Sequence, residues 1–162
     1  MEAARQRGAR AAGAVVIAKQ ELMRLRGEWQ LDVGVIEKDY VLGWVLAAIA
    51  AESALADTWI FKGGTCLRKC YYETYRFSED LDFTVVDGGP EEPDEMIEIF
   101  KRVSDRLARE TGIELEIDQR TFARRRNLRG QPTTQARSAY RGPNAPRSRG
   151  RRPVLLTDGV AS

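Results

Sequence analysis

The 162-residue chain contains no histidine and only two cysteines. Without imidazole, every nucleophilic triad of the Ser-His-Asp or Cys-His kind is excluded. A structural zinc site takes about four soft ligands, and Cys66 and Cys70 supply only two, so that site is excluded as well. Their C-x3-C spacing sets them one turn apart on a helix, where two small residues are expected to face the core. Long apolar runs are also missing. Val41 to Ala51 is interrupted by Gly43 and followed by Glu52, too short to span a bilayer. Ala11 to Ala18 leads into Lys19, Gln20 and Glu21 with no small-residue cleavage pattern, so a signal peptide is not expected. These absences predict a cytoplasmic protein with no membrane partner, a compartment that disfavours a disulfide.

Acidic residues nearly vanish from the end of the chain. Residues 119–162 carry 11 Arg and a single acid, Asp158, whereas residues 1–118 carry 15 basic and 23 acidic side chains. The formal net charge of +2 hides this asymmetry. A basic block of this kind binds RNA backbone through charge, forms a disordered tail, or marks a stretch read outside its natural frame. Its only aromatics are Phe122 and Tyr140, so base stacking is not indicated.

What is present suits one globular domain with a real core, at 43% hydrophobic and 31% charged residues. Residues 1–34 read as an N-terminal extension running into a helix. From Val35 to Leu55, Ile36, Tyr40, Val45, Ile49 and their neighbours recur at helical spacing. Trp59-Ile60-Phe61 reads as a short buried strand, ended by Gly63-Gly64, with helix character from Thr65 to Tyr72. Leu81 to Val86 is a second strand, stopped by Asp87-Gly88-Gly89-Pro90. Pro93 to Glu110 is an amphipathic helix closed by Gly112, and Ile113 to Ile117 alternates like a half-exposed strand. Ala136 to Arg141 and Val154 to Thr157 are strand-like. The expected class is α/β in the α+β sense: a small mixed sheet flanked by helices. Residues 35–118 form its heart, and 119–162 an Arg-rich, partly disordered remainder.

Two features carry chemistry. Asp80 and Asp82, two apart on a strand, put both carboxylates on one face. Such a pair repels unless a cation sits between, and magnesium takes oxygen ligands of this kind together with substrate phosphates. Alone, an Asp-x-Asp is more often an exposed strand that carries two acids. Gly63 and Gly64, lacking side chains, let a phosphate chain approach the backbone, and Thr65 adds a hydroxyl at the start of a helix. A strand-to-helix turn accounts for a lone Gly-Gly equally well. The two together, within twenty residues and on adjacent predicted strands, favour a site.

Three separated motifs then agree: Glu37-Lys38-Asp39-Tyr40, Phe61-Lys62-Gly63-Gly64-Thr65-Cys66-Leu67-Arg68-Lys69, and Arg76-Phe77-Ser78-Glu79-Asp80-Leu81-Asp82. In this order they resemble the AbiEii/AbiGii-type toxins, a branch of the polymerase-beta-like nucleotidyltransferases, across residues 35–118. The resemblance implies transfer of a nucleotide from a nucleoside triphosphate such as ATP to an RNA acceptor, tRNA in some members. It implies a toxin–antitoxin or phage-abortive setting with a winged-helix antitoxin as partner. It assigns Gly63, Gly64 and Thr65 to the triphosphate, Asp80 and Asp82 to Mg2+ or Mn2+, and Lys69, Arg76 and Ser78 to nucleotide or RNA contact. Pro153 to Asp158 resembles the strand that bears a third carboxylate in the family. Asp158 is then the third ligand and, with no histidine present, the candidate general base. The family is longer, so the resemblance also implies C-terminal truncation. The alternative is a shortened homologue that binds nucleotide or antitoxin without turnover.

Overall fold

A computed structural model describes residues 17–71, 80–86, 88–127, 129–142 and 152–160, the last of these as backbone only. Its elements run α1 (Lys19–Trp29), α2 (Val33–Ala50), α3 (Ser53–Ala56), β1 (Trp59–Lys62), α4 (Gly63–Cys66), a π-helical turn (Leu67–Tyr71), β2 (Asp80–Val85), α5 (Pro93–Thr111), β3 (Glu114–Leu115), β4 (Phe122–Arg126), β5 (Pro132–Arg141) and β6 (Arg152–Val160). The strands form one mixed sheet ordered β1-β2-β6-β5-β3, with β4 also pairing β5. Among the described strands, only β2 and β6 pair in parallel. The expected α/β architecture, a mixed sheet with helices against it, is what forms. No helix among the described residues is long and apolar enough to cross a membrane.

Local chemistry explains the helices. The Asp32 carboxylate accepts the Gly34 N–H at 2.7 Å and caps α2. Pro93 starts α5, with Asp94 and Glu95 in its first turn. Gly112 ends α5 at φ +70°, its N–H donating to the Ala108 carbonyl at 2.9 Å. The apolar stripe of α5, with Val41, Leu42, Val45 and Ile49 of α2, packs on one face of the sheet. On β2 that face receives Leu81, Phe83 and Val85, all buried, while Asp80, Asp82 and Thr84 alternate to the other side. A run of ring contacts threads the core, from Phe61 to Phe83 (5.4 Å), Phe83 to Trp59 (5.1 Å), Trp59 to Phe100 (5.8 Å) and Phe100 to Phe122 (5.0 Å).

Several expectations need correction. The helix over 35–55 ends at Ala50 and restarts as α3, because the chain turns at Ala51 and Glu52. The strand at Trp59 lies at the sheet edge, not inside it, so Ile60 is half exposed. The helix expected from Thr65 already starts at Gly63 and loosens into the π-helical turn. Cys66 is only partly buried and Cys70 is exposed, so this pair does not sit in the core. The strand at Ile113–Ile117 shrinks to Glu114–Leu115, while β5 and β6 extend beyond the expected segments. The β4 strand was not anticipated. Its pairing with β5 joins part of the Arg-rich region to the same sheet that carries Asp80 and Asp82.

Candidate active site

β1 and β2 pair antiparallel with Lys62 opposite Asp82, and the chain leaves β1 directly into Gly63. Gly63 adopts φ +80°, a conformation that L side chains rarely take. A Cβ placed there would lie 2.3 Å from Asp82 Oδ2 and 3.1 Å from Asp82 Cβ. The carboxylate of Asp82 thus rests against the glycine backbone, where only a residue without a side chain leaves room. The turn that opens α4 has no side-chain cap, since Lys62 at its N-cap makes no such bond. Asp82 and the glycine turn, 19 positions apart in sequence, are thus in direct contact.

Thr65 is 1% exposed, and its hydroxyl donates to the Asp80 carbonyl at 2.5 Å. It ties α4 to the first residue of β2 and fixes the spacing between glycine turn and carboxylates. The next turn is anchored from behind. Arg68 forms an ion pair with Asp39 on α2, and Lys69 Nζ lies 3.2 Å from the Asp39 carboxylate while donating to the Asp39 carbonyl at 3.1 Å. Lys69 therefore lines a groove of about 420 Å3 on α2, beside Tyr40, Gly43 and Trp44. Asp39, which sequence reasoning left without a role, is the anchor of the segment that follows the glycine pair. The signal was its place in Glu37-Lys38-Asp39-Tyr40. In the same motif Glu37 is buried, close enough to Gly142 that a Cβ there would meet Glu37 Oε1 at 2.8 Å, and the Tyr40 hydroxyl accepts the Ile17 N–H at 3.1 Å. Glu37, Asp39 and Tyr40 are thus engaged with other segments, and the motif is not a solvated turn.

The third carboxylate is less directly placed. In β6, Leu155 is in register with Asp80 and Thr157 with Asp82, whereas Asp158 is opposite Phe83. The Asp158 side chain lies outside the described residues, as do Arg76 and Ser78 entirely. Among the described residues, no group of three His, Cys, Asp or Glu side chains converges as a metal cluster. Asp80 and Asp82 stand on one face of β2, and carboxylate oxygens are the donor type that suits a hard divalent cation.

Beside the glycine turn, burial pushes the Cys66 thiol pKa up, and the neighbouring Cys70 adds to the shift.

The profile of the family described as "Nucleotidyl transferase AbiEii toxin, Type IV TA system" matches residues 44–149, more than half of the chain. The chain belongs to the AbiEii nucleotidyl transferase toxin family. No curated protein matches it. The matched span of this AbiEii protein includes the glycine turn, Asp80, Asp82 and strands β4 and β5. Glu37 to Tyr40 precede that span, yet the structure binds them to it through Asp39.

Proposed function

We propose that this AbiEii protein transfers a nucleotide from a nucleoside triphosphate to an RNA hydroxyl, with Asp80 and Asp82 holding Mg2+ or Mn2+. The observation that carries the reading is the seat of the Asp82 carboxylate against Gly63, where a side chain is excluded. A divalent cation bound there would neutralise phosphate charge and orient the attacking oxygen. The chain's own residues supply the rest. Gly63 leaves room for the Asp82 carboxylate, the backbone of the Gly63-Gly64 turn would meet the triphosphate, Thr65 holds the turn at a fixed distance from β2, and Asp39 braces the segment behind it. The acceptor hydroxyl gives up its proton to solvent as its oxygen attacks the α-phosphorus and the bond to the departing pyrophosphate breaks, a displacement that depends on positioning more than on covalent chemistry. The family description supports an antitoxin partner, for which a winged-helix protein is our proposal.

Thermal melts test the nucleotide site. Wild type should rise in Tm when Mg2+ and a nucleoside triphosphate are added together, since a ligand at about 100 times its Kd stabilises by about 2.7 kcal/mol. Asp82→Asn should lose that rise. A wild type whose melting ignores Mg2+ with each of the nucleoside triphosphates would defeat the reading.

A further inference from the structure

The arginines of the β4–β5 hairpin are not equivalent. Arg124 pairs with Glu92, Arg126 Nη1 donates to the Gly130 carbonyl at 2.6 Å, and Arg141 pairs with Glu114 at 3.1 Å. Arg125 and Arg137 are exposed, and no ion pair is seen for either among the described residues. Alternation assigns their face. Thr134, Ala136, Ser138 and Tyr140 of β5 are buried toward the helices, so Thr133, Gln135 and Arg137 belong to the opposite side. Arg125 pairs with Thr133 and shares that side.

Register carries this face across to the carboxylates. Gln135 pairs with Thr157, which pairs with Asp82, and Arg137 pairs with Leu155, which pairs with Asp80. Asp80 and Arg137 thus lie on one row and one face, two strands apart, or roughly 10 Å at about 4.8 Å per strand. Arg125 extends the same face one strand further. A surface that is acidic over the proposed transfer centre and turns basic a short distance away fits a polyanion whose reacting end sits at the acids.

We propose that Arg125 and Arg137 form the track that holds the phosphates of the acceptor RNA strand as its end reaches Asp80 and Asp82. This rests on the nucleotidyl-transfer reading above and names where its acceptor lies. A single strand suits the site because the two exposed guanidiniums stand on one sheet face, where backbone phosphates, not base edges, are met.

The test is fluorescence anisotropy with a labelled single-stranded RNA of mixed sequence bearing a free 3′ hydroxyl, titrated across salt from about 50 to 200 mM. The Arg125→Gln/Arg137→Gln chain should bind about tenfold more weakly, and its log-log salt slope should shrink by about 1.4, the loss of two single-strand phosphate contacts. Arg124→Gln/Arg126→Gln removes the same charge from the other face and should leave slope and affinity near wild type. Binding of a fluorescent ATP analogue with Mg2+ should be the same in all three chains. Equal losses in both double variants would overturn the proposal, since net charge alone would then account for binding. Loss of nucleotide binding with RNA affinity intact would overturn it in favour of the triphosphate. So would polyglutamate that displaces RNA equally at matched charge, which would point to an acidic protein partner. If wild type transfers nucleotide to RNA but Arg125→Gln/Arg137→Gln binds RNA like wild type, the track fails alone. If the arginines govern RNA binding but no nucleotide is transferred, the track stands and the transfer reading fails.

Discussion

Replacing Gly63 with alanine probes the contact between the glycine turn and Asp82. Two costs arise. At φ +80° an L residue is strained by about 1–2 kcal/mol. The new Cβ would also stand 2.3 Å from Asp82 Oδ2, so the carboxylate must leave its seat. Because that atom is the end of a rotatable side chain, the clash is relieved by an off-rotamer shift of about 0.5–1.5 kcal/mol and not by unfolding. The sum, roughly 1.5–3.5 kcal/mol, lowers Tm by about 3–14 °C in a domain of this size. Gly112→Ala is the internal standard, since Gly112 has φ +70° and nothing within 4 Å of an added Cβ. It should show only the conformational part. The difference between the two variants isolates the contact with Asp82, and it should narrow in an Asp82→Ala background. Thermal or urea unfolding reads all four chains. Gly63→Ala melting like Gly112→Ala, with no dependence on residue 82, would refute the close seating of Asp82 on the turn.

Two further outcomes follow from the same neighbourhood. Thr65→Val keeps the shape but removes the buried donor to the Asp80 carbonyl, and should lower unfolding free energy by about 1–2 kcal/mol in urea titrations; an unchanged midpoint would deny the tie between α4 and β2. The Cys66 thiol, its pKa raised by burial and by Cys70, stays protonated to higher pH than an ordinary cysteine, so its folded form is favoured below the unfolded pKa and loses that advantage as pH rises toward the folded one. Alkylation followed by mass spectrometry should label the exposed Cys70 before Cys66 at neutral pH, with the lag abolished in denaturant.

In the candidate site, the sequence was legible where a backbone or a face dictates residue type. Gly63 must be glycine because of its φ and the carboxylate beside it, and the Leu81, Phe83, Val85 alternation fixes the side on which Asp80 and Asp82 stand. What escaped reading depends on tertiary partners. The β4 strand reads Phe-Ala-Arg-Arg-Arg, with no apolar alternation beyond Phe122, and forms because β5 offers it a full antiparallel ladder. Ile113 to Ile117 alternates well, yet the ladder is cut short where Thr121 and Asp118 close a turn. Thr65 looked like a phosphate contact from its place after the glycines, but its hydroxyl is directed to the Asp80 backbone, a bond across 15 residues that no local pattern announces. Lys69 likewise looked free on its short helix, and Asp39, 30 residues upstream, claims it.

The central claim is nucleotidyl transfer at Asp80 and Asp82, and the most direct measurement is incorporation of α-32P-labelled nucleotide into RNA by the purified full chain with Mg2+. Wild type should label RNA with one or more of the four nucleoside triphosphates. Asp82→Asn should reduce the rate by a factor on the order of 100 or more while its melting in the absence of ligand stays close to wild type. RNA labelling by Asp82→Asn at the wild-type rate, or no labelling by a folded wild type with any of the four, would contradict the account.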